Sequence, residues 1–178
     1  MTINMQWYGR RYGRKLSVRR LELLKTLLPK FGFNFQTLQT NREHLIDRLI
    51  GKHEVWLEIG FGAGEHLAEM AVRYPGIFFV GCEPFINGVA ALLSKIDDQA
   101  LDNILIYSDD ARPFLDFLPE QSISKVFLLF ADPWPKAKHK KRRFVNNVNL
   151  DRIARVLKDE GEFRFSSDHK DYAIWTHE

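Results

Sequence analysis

From Val55 to Phe165 the chain alternates short apolar runs with segments whose apolar residues recur every three or four positions. Val55 to Ile59, Ile77 to Cys82, Ile104 to Tyr107 and Val126 to Phe130 have strand length, and a fifth run begins over Gly161 to Phe165. Near-continuous apolar strands of this kind belong to parallel sheets buried on both faces. Between them lie helical patterns. Glu65 to Tyr74 turns Leu67, Met70 and Ala71 inward and stops at Pro75; the next segment carries Ile86, Val89, Ala90 and Leu93 on one side. Pro113 sits in the first turn of a short helix to Leu118, and Asn149 to Leu157 aligns Ile153, Val156 and Leu157. Upstream, Leu21 to Leu28 predicts a helix ended by Pro29. Asn41 is placed to cap a second helix, with Leu45, Ile46, Leu49 and Ile50 inward and Gly51 just past its end. The βαβα order predicts an α/β fold, a mostly parallel sheet with helices on both faces.

The 178 residues suffice for one domain spanning 1–178. The formal net charge is only +3, but its distribution is uneven. Arg10, Arg11, Arg14, Lys15, Arg19 and Arg20 crowd one segment, and Lys136, Lys138, Lys140, Lys141, Arg142 and Arg143 another. Trp7, Tyr8, Tyr12, Trp134 and Phe144 are interleaved with these cations, which favours a nucleic-acid footprint over two solvated faces. Residues 1–20, punctuated by Gly9 and Gly13, read as a basic mobile arm. The lone Cys82, the absence of a signal-peptide pattern and the lack of any apolar run near the ~20 residues of a membrane helix make the cytoplasm the default.

Glu58-Ile59-Gly60-Phe61-Gly62-Ala63-Gly64 joins the first strand to the first helix, where glycines permit a tight turn and close approach of a ligand. Glu83 ends the second strand, where a carboxylate accepts hydrogen bonds from ribose hydroxyls, and Asp110 follows the third, within reach of an adenine edge. Each acid has a simpler reading as a cap on the next helix, and for Asp110 alone the two readings are even. Glu58 beside the loop disfavours a pyrophosphate. It suits S-adenosyl-L-methionine, whose amino-acid tail offers an ammonium group. Asp132-Pro133-Trp134-Pro135-Lys136, with His139-Lys140-Lys141-Arg142-Arg143 behind it, follows the fourth strand. A carboxylate there can hold a base edge, an indole can stack or line a pocket, and cations can hold phosphates. No Cys/His cluster accompanies His139, so no metal is expected and His139 reads as a phosphate contact.

These blocks, with Arg10-Arg11-Tyr12-Gly13-Arg14, Gly81-Cys82-Glu83, Asp110-Ala111 and Ser167-Asp168, resemble the bacterial tRNA (guanine-N7)-methyltransferases over nearly the whole chain. The resemblance implies a Rossmann-like methyltransferase fold, S-adenosyl-L-methionine as cofactor, and methyl transfer to N7 of a guanine in the variable loop of tRNA by a monomer or homodimer. It implies that Glu58, Glu83, Asp110 and Asp132 contact the cofactor, beside Gly60 and Gly62 that the glycine turn already offers to it, and that Asp132 is also catalytic. It implies that Lys136 and Asp168 contact the substrate, while the basic run itself places Arg142 and Arg143 as substrate contacts on RNA phosphates. Ala131 stands where the family usually has proline. The family also continues beyond Glu178 through two further strands and a Thr-x-x-Glu segment, so the fifth strand is expected to show an open edge. Methylation of an exocyclic amine, a dinucleotide oxidoreductase, and an RNA-binding module without turnover are the competing readings.

Overall fold

The computed structural model describes residues 9–40, 42–50 and 54–177. Trp7, Tyr8, Asn41, Gly51 and Glu178 therefore lie outside the described residues. In chain order the elements are α1 (Val18–Thr26), α2 (Leu28–Phe31), β1 (Gly32–Phe33), α3 (Phe35–Thr40), α4 (Arg42–Ile50), β2 (Val55–Ile59), α5 (Glu65–Arg73), β3 (Phe78–Cys82) and α6 (Ile86–Gln99). They continue through β4 (Ile104–Tyr107), α7 (Ala111–Phe117), β5 (Ile123–Leu129), a 3-10 turn at Ala137–Arg142, α8 (Asn147–Val156), β6 (Leu157–Ser166) and α9 (Lys170–His177).

The strands form one sheet in the order β1-β4-β3-β2-β5-β6, every pair parallel. All residues of β2, β3 and β4 are buried, because helices cover both faces. Strand alternation divides the core. Val55, Leu57 and Ile59 join Val80, Leu105 and Val126 in a layer closed by Leu45 and Leu49 of α4, Phe114 of α7 and Ile153 of α8. Trp56, Phe79, Ile104 and Phe127 face the opposite layer, closed by Leu23 of α1, Leu67 and Ala71 of α5 and Leu92, Leu93 and Ile96 of α6. Strand order reverses at β2, which has β3 on one side and β5 on the other. The crevice beyond the carboxyl ends of β2 and β5 is where an open α/β sheet takes its ligand. Among the described strands β6 is an edge, as expected of the fifth predicted strand.

Departures from the sequence reading have local causes. Pro29 does not end a helix; α1 stops at Thr26, and Pro29 occupies the first turn of α2, where its missing N–H goes unmissed. The two-residue β1 and the polar α3 carry too little apolar periodicity to be read from sequence, and α9 follows a bend at Asp168. Helix begins at Val18, inside the segment read as an arm, with Ser17 as its cap. Ahead of it, residues 9–17 lie against the start of α6. Ile86 N donates to the Arg11 carbonyl at 3.0 Å, Gly13 N donates to Asn87 Oδ1 at 2.8 Å, and Asn87 Nδ2 donates to the Arg14 carbonyl at 2.7 Å. Arg11 pairs with Asp109 at 2.6 Å, and Arg19 with Asp97 and Asp98. Among the described residues no helix is long and apolar enough to cross a membrane.

Candidate active site

The glycine loop after β2 is built around one carboxylate. Glu83, buried at the end of β3, accepts from Gly62 N and from Phe85 N, each at 2.9 Å. It thus ties the loop to the entry of α6. Burial raises its pKa above the ordinary carboxylate value, while the two N–H groups favour the anion. A carboxylate has about four acceptor positions. The two left over are available to a diol. Gly62 has φ 58°, and a Cβ on the facing Gly88 would lie 2.1 Å from the Gly62 carbonyl oxygen. The missing Cβ of Gly88 lets α6 close on the loop, and the left-handed turn at Gly62 favours glycine there.

Beside this loop opens a cleft of about 440 Å³. Its walls include Ile59, Gly60, Cys82, Glu83, Phe85 and Asp110 on one side and Leu128, Phe130, Asp132, Trp134, Arg142 and Phe144 on the other, with Gly9 and Arg10 at the rim. Nothing lies within 4 Å of where a Gly60 side chain would begin. This bare backbone, the half-engaged Glu83 and the apolar flanks fit a nucleoside with an amino-acid tail. For Asp110 the capping reading is seen directly, and its place beside the cleft is compatible with the other. Asp110 lines the cleft and also caps α7, accepting from Arg112 N and Nε at 3.0 Å. Among the described residues, no group of three or more His, Cys, Asp or Glu could hold a metal ion.

Asp132 is exposed in the cleft and makes no hydrogen bond or ion pair with any described residue. The loop bearing it is bracketed by two non-glycine residues in the left-handed region, Phe130 at φ 52° and Trp134 at φ 43°. Such conformations persist where their surroundings over-determine them, and they cluster at functional sites. Phe130 N donates to the Ser166 carbonyl at 2.8 Å. The Trp134 ring meets His139 edge-on at 5.9 Å, with the Arg142 guanidinium 5.0 Å from its centroid.

Arg143 departs from its expected role. Its side chain has no exposure, so it cannot meet an RNA phosphate as the basic run suggested. Its Nε donates to the Pro133 carbonyl at 2.8 Å, and its Nη2 reaches Asp171 Oδ2 at 2.5 Å. The guanidinium lies over the rings of Tyr172 (4.9 Å) and Trp175 (5.3 Å). Lys140 adds a second contact to Asp171 at 2.9 Å, and together Arg143 and Lys140 hold that carboxyl down to about 2. The buried Tyr172 hydroxyl accepts from Val145 N at 3.2 Å, and Trp175 Nε1 donates to the Val145 carbonyl at 2.8 Å. The residue after Asp132 is therefore fastened to α9 through Arg143. Sequence reasoning missed Asp171, Tyr172 and Trp175; their only signal was an acid and two aromatics within one helical turn.

The remaining expected residues divide. Lys136 is exposed at the start of the 3-10 turn, and Asp168 is exposed at the bend after β6, neither in the cleft. Glu58 is buried on the other face of β2. Its carboxylate lies 2.8 Å from His66 Nδ1 rather than in the cleft wall. The glutamate raises the His66 pKa above its ordinary value.

Residues 52–178 match the family model described as "Putative methyltransferase". The tRNA (guanine-N(7)-)-methyltransferase of Chelativorans sp. (strain BNC1) is 45% identical over 172 residues, covering 96% of this chain and 73% of that protein. The protein of the same description from Agrobacterium fabrum is 44% identical over 171 residues, covering 96% of this chain and 73% of its own length. Among solved structures, an antibiotic-related methyltransferase superposes with a TM-score of 0.58 at 19% identity, over 75% of this chain and 68% of the other, which shows the shared fold. With the glycine loop, the acid-lined cleft and the basic turn in place, these relatives establish that the chain belongs to the tRNA (guanine-N(7)-)-methyltransferase family.

Proposed function

We propose that this protein transfers the methyl group of S-adenosyl-L-methionine to N7 of a guanine in the variable loop of tRNA. The observation that carries the proposal is the cleft at the strand-order reversal. Gly60, Glu83 and Asp110 line it together with Asp132 and with Arg142 of the basic turn, which supports a nucleoside cofactor beside an RNA base. The names of the relatives support the choice of N7 and of tRNA.

When bound, the cofactor supplies an electrophilic methyl group on a sulfonium. Guanine N7 has a free lone pair and no proton, so the chain needs no general base; its task is alignment. The two open acceptor positions of Glu83 would hold ribose hydroxyls, and Asp110, already oriented by Arg112, would meet the adenine edge. Glu58 acts at one remove, fixing His66 in the first turn of α5 and so the exit of the glycine loop. Asp132 accepts hydrogen bonds from the donor-rich Watson–Crick edge of the guanine and offsets the positive charge that appears on the purine. Lys136, Arg142 and Asp168 position the RNA around it. Arg143 serves the same end from beneath by fixing Pro133. The cytoplasm is the proposed compartment, where tRNA is found.

The test pairs calorimetry with S-adenosyl-L-methionine and a methyl-transfer assay on unmodified tRNA. The product is mapped by its alkali-labile 7-methylguanosine. Asp132→Ala should abolish transfer while cofactor affinity stays within a few-fold. Normal turnover in that variant would remove Asp132 from the mechanism, and an alkali-stable product would point to an exocyclic amine instead.

A further inference from the structure

We propose that Phe130 is the platform on which the target purine stacks. The assignment rests on the proposed methylation of a guanine and names the group that holds it.

Phe130 is 67% exposed, yet it lines the cleft beside Asp132. It makes no ring contact with any other described aromatic. It is also held at φ 52°, a region that bulky side chains avoid. Two unfavourable features thus coincide at one residue: an aromatic ring left in water and a left-handed backbone. The backbone is pinned there, since β5 ends at Leu129 and Phe130 N donates to the Ser166 carbonyl of β6 at 2.8 Å. Strain at a cleft-lining residue without packing return is the pattern of a functional position. The other aromatics of this wall are engaged. Trp134 has His139 and Arg142 on its ring, and Phe144 packs against the core.

The chemistry suits the placement. A base stacked on a ring keeps all its in-plane edges free, so N7 and the Watson–Crick edge stay open to different partners. Transfer to N7 makes the purine cationic, and a cation over an aromatic face is attracted by the ring quadrupole. The interaction therefore strengthens as the methyl group moves, which lowers the barrier rather than only improving binding.

The experiment compares Phe130→Tyr, Phe130→Leu and Phe130→Asn in methyl transfer to tRNA, in calorimetric cofactor affinity and in thermal melting. Tyrosine should retain activity within a few-fold. Leucine, which keeps the bulk but loses the ring, should lower kcat/KM about 10- to 100-fold, the range of base–aromatic stacking, with kcat falling as well as KM rising. Asparagine tolerates the left-handed backbone and should melt at or above the parent temperature while losing transfer to at least the same degree. Cofactor affinity should be unchanged in all three. Full activity in the leucine variant, equal losses in the tyrosine and leucine variants, or a loss that tracks lowered melting would each overturn the stacking role. Absence of transfer by the unsubstituted protein would instead refute the proposed reaction, and the stacking role with it.

Discussion

Replacing Arg143 by alanine tests whether the chemistry of this site depends on a buried cation that touches no substrate. The substitution removes a charge-assisted hydrogen bond to the Pro133 carbonyl, a bond type worth about 1.5–3 kcal/mol. It also strips a fully buried guanidinium from the faces of Tyr172 and Trp175 and leaves a void. The ion pair with Asp171 adds little, because that carboxylate is half exposed and screened by solvent. A net loss of about 3 kcal/mol is expected, which for a domain of this size lowers the melting temperature by roughly 6–12 °C. Hydrogen exchange should accelerate first in α9, which loses its tie to the loop. Methyl transfer measured below the melting transition should show a lower kcat, since Pro133 and with it Asp132 are released. Affinity for S-adenosyl-L-methionine should hold, because Glu83 and the glycine loop lie elsewhere. Arg143→Lys should recover part of the stability and little of the turnover, since an ammonium cannot bridge Pro133 and Asp171 as a planar fork does. In Arg143→Ala the Asp171 carboxyl loses its main stabilising partner and titrates above about 2. The reasoning fails if Arg143→Ala melts within about 1–2 °C of the parent while its tRNA affinity falls and the salt slope drops by about one. That result would place the guanidinium on a phosphate.

Two other outcomes follow from the same geometry. Gly88→Ala sets a methyl group against the Gly62 carbonyl oxygen, a backbone atom with little room to move. It should cost about 1–3 kcal/mol of stability and weaken cofactor binding by calorimetry, and an unchanged protein would show that α6 does not brace the loop. His66 has a raised folded-state pKa through its hydrogen bond to Glu58, so its contribution is full below its unfolded pKa, about 6.5, and fades as pH rises through the folded value. Denaturant midpoints followed upward from pH 6 should decline across that window in the parent and stay flat across it in Glu58→Gln, with the His66 titration read directly by NMR.

The legible part of this protein is the part governed by local periodicity. The runs at Val55, Ile104 and Val126 were readable as strands because a strand covered on both faces must be apolar at nearly every position. The glycine loop and the acids at strand ends were readable for a related reason. In a parallel sheet every strand ends at the same rim, so chain order alone gathers Glu83, Asp110 and Asp132 around one cleft. Sequence did not name the partner that a buried polar residue would find. Glu58 precedes the glycines, but strand alternation turns it to the opposite layer, where His66 meets it.

The sequence by itself determined the α/β order, the two-sided core, the glycine turn and the acidic rim, because each follows from nearest-neighbour chemistry and a burial period of two or 3.6. Only the tertiary structure decided that residues 9–17 lie against α6, that Phe130 is strained and exposed, and that Arg143 points inward. Arginines within a basic run look alike along the chain. What separates Arg143 from its neighbours is a carboxylate 28 residues downstream and two aromatic faces that folding brings beneath it.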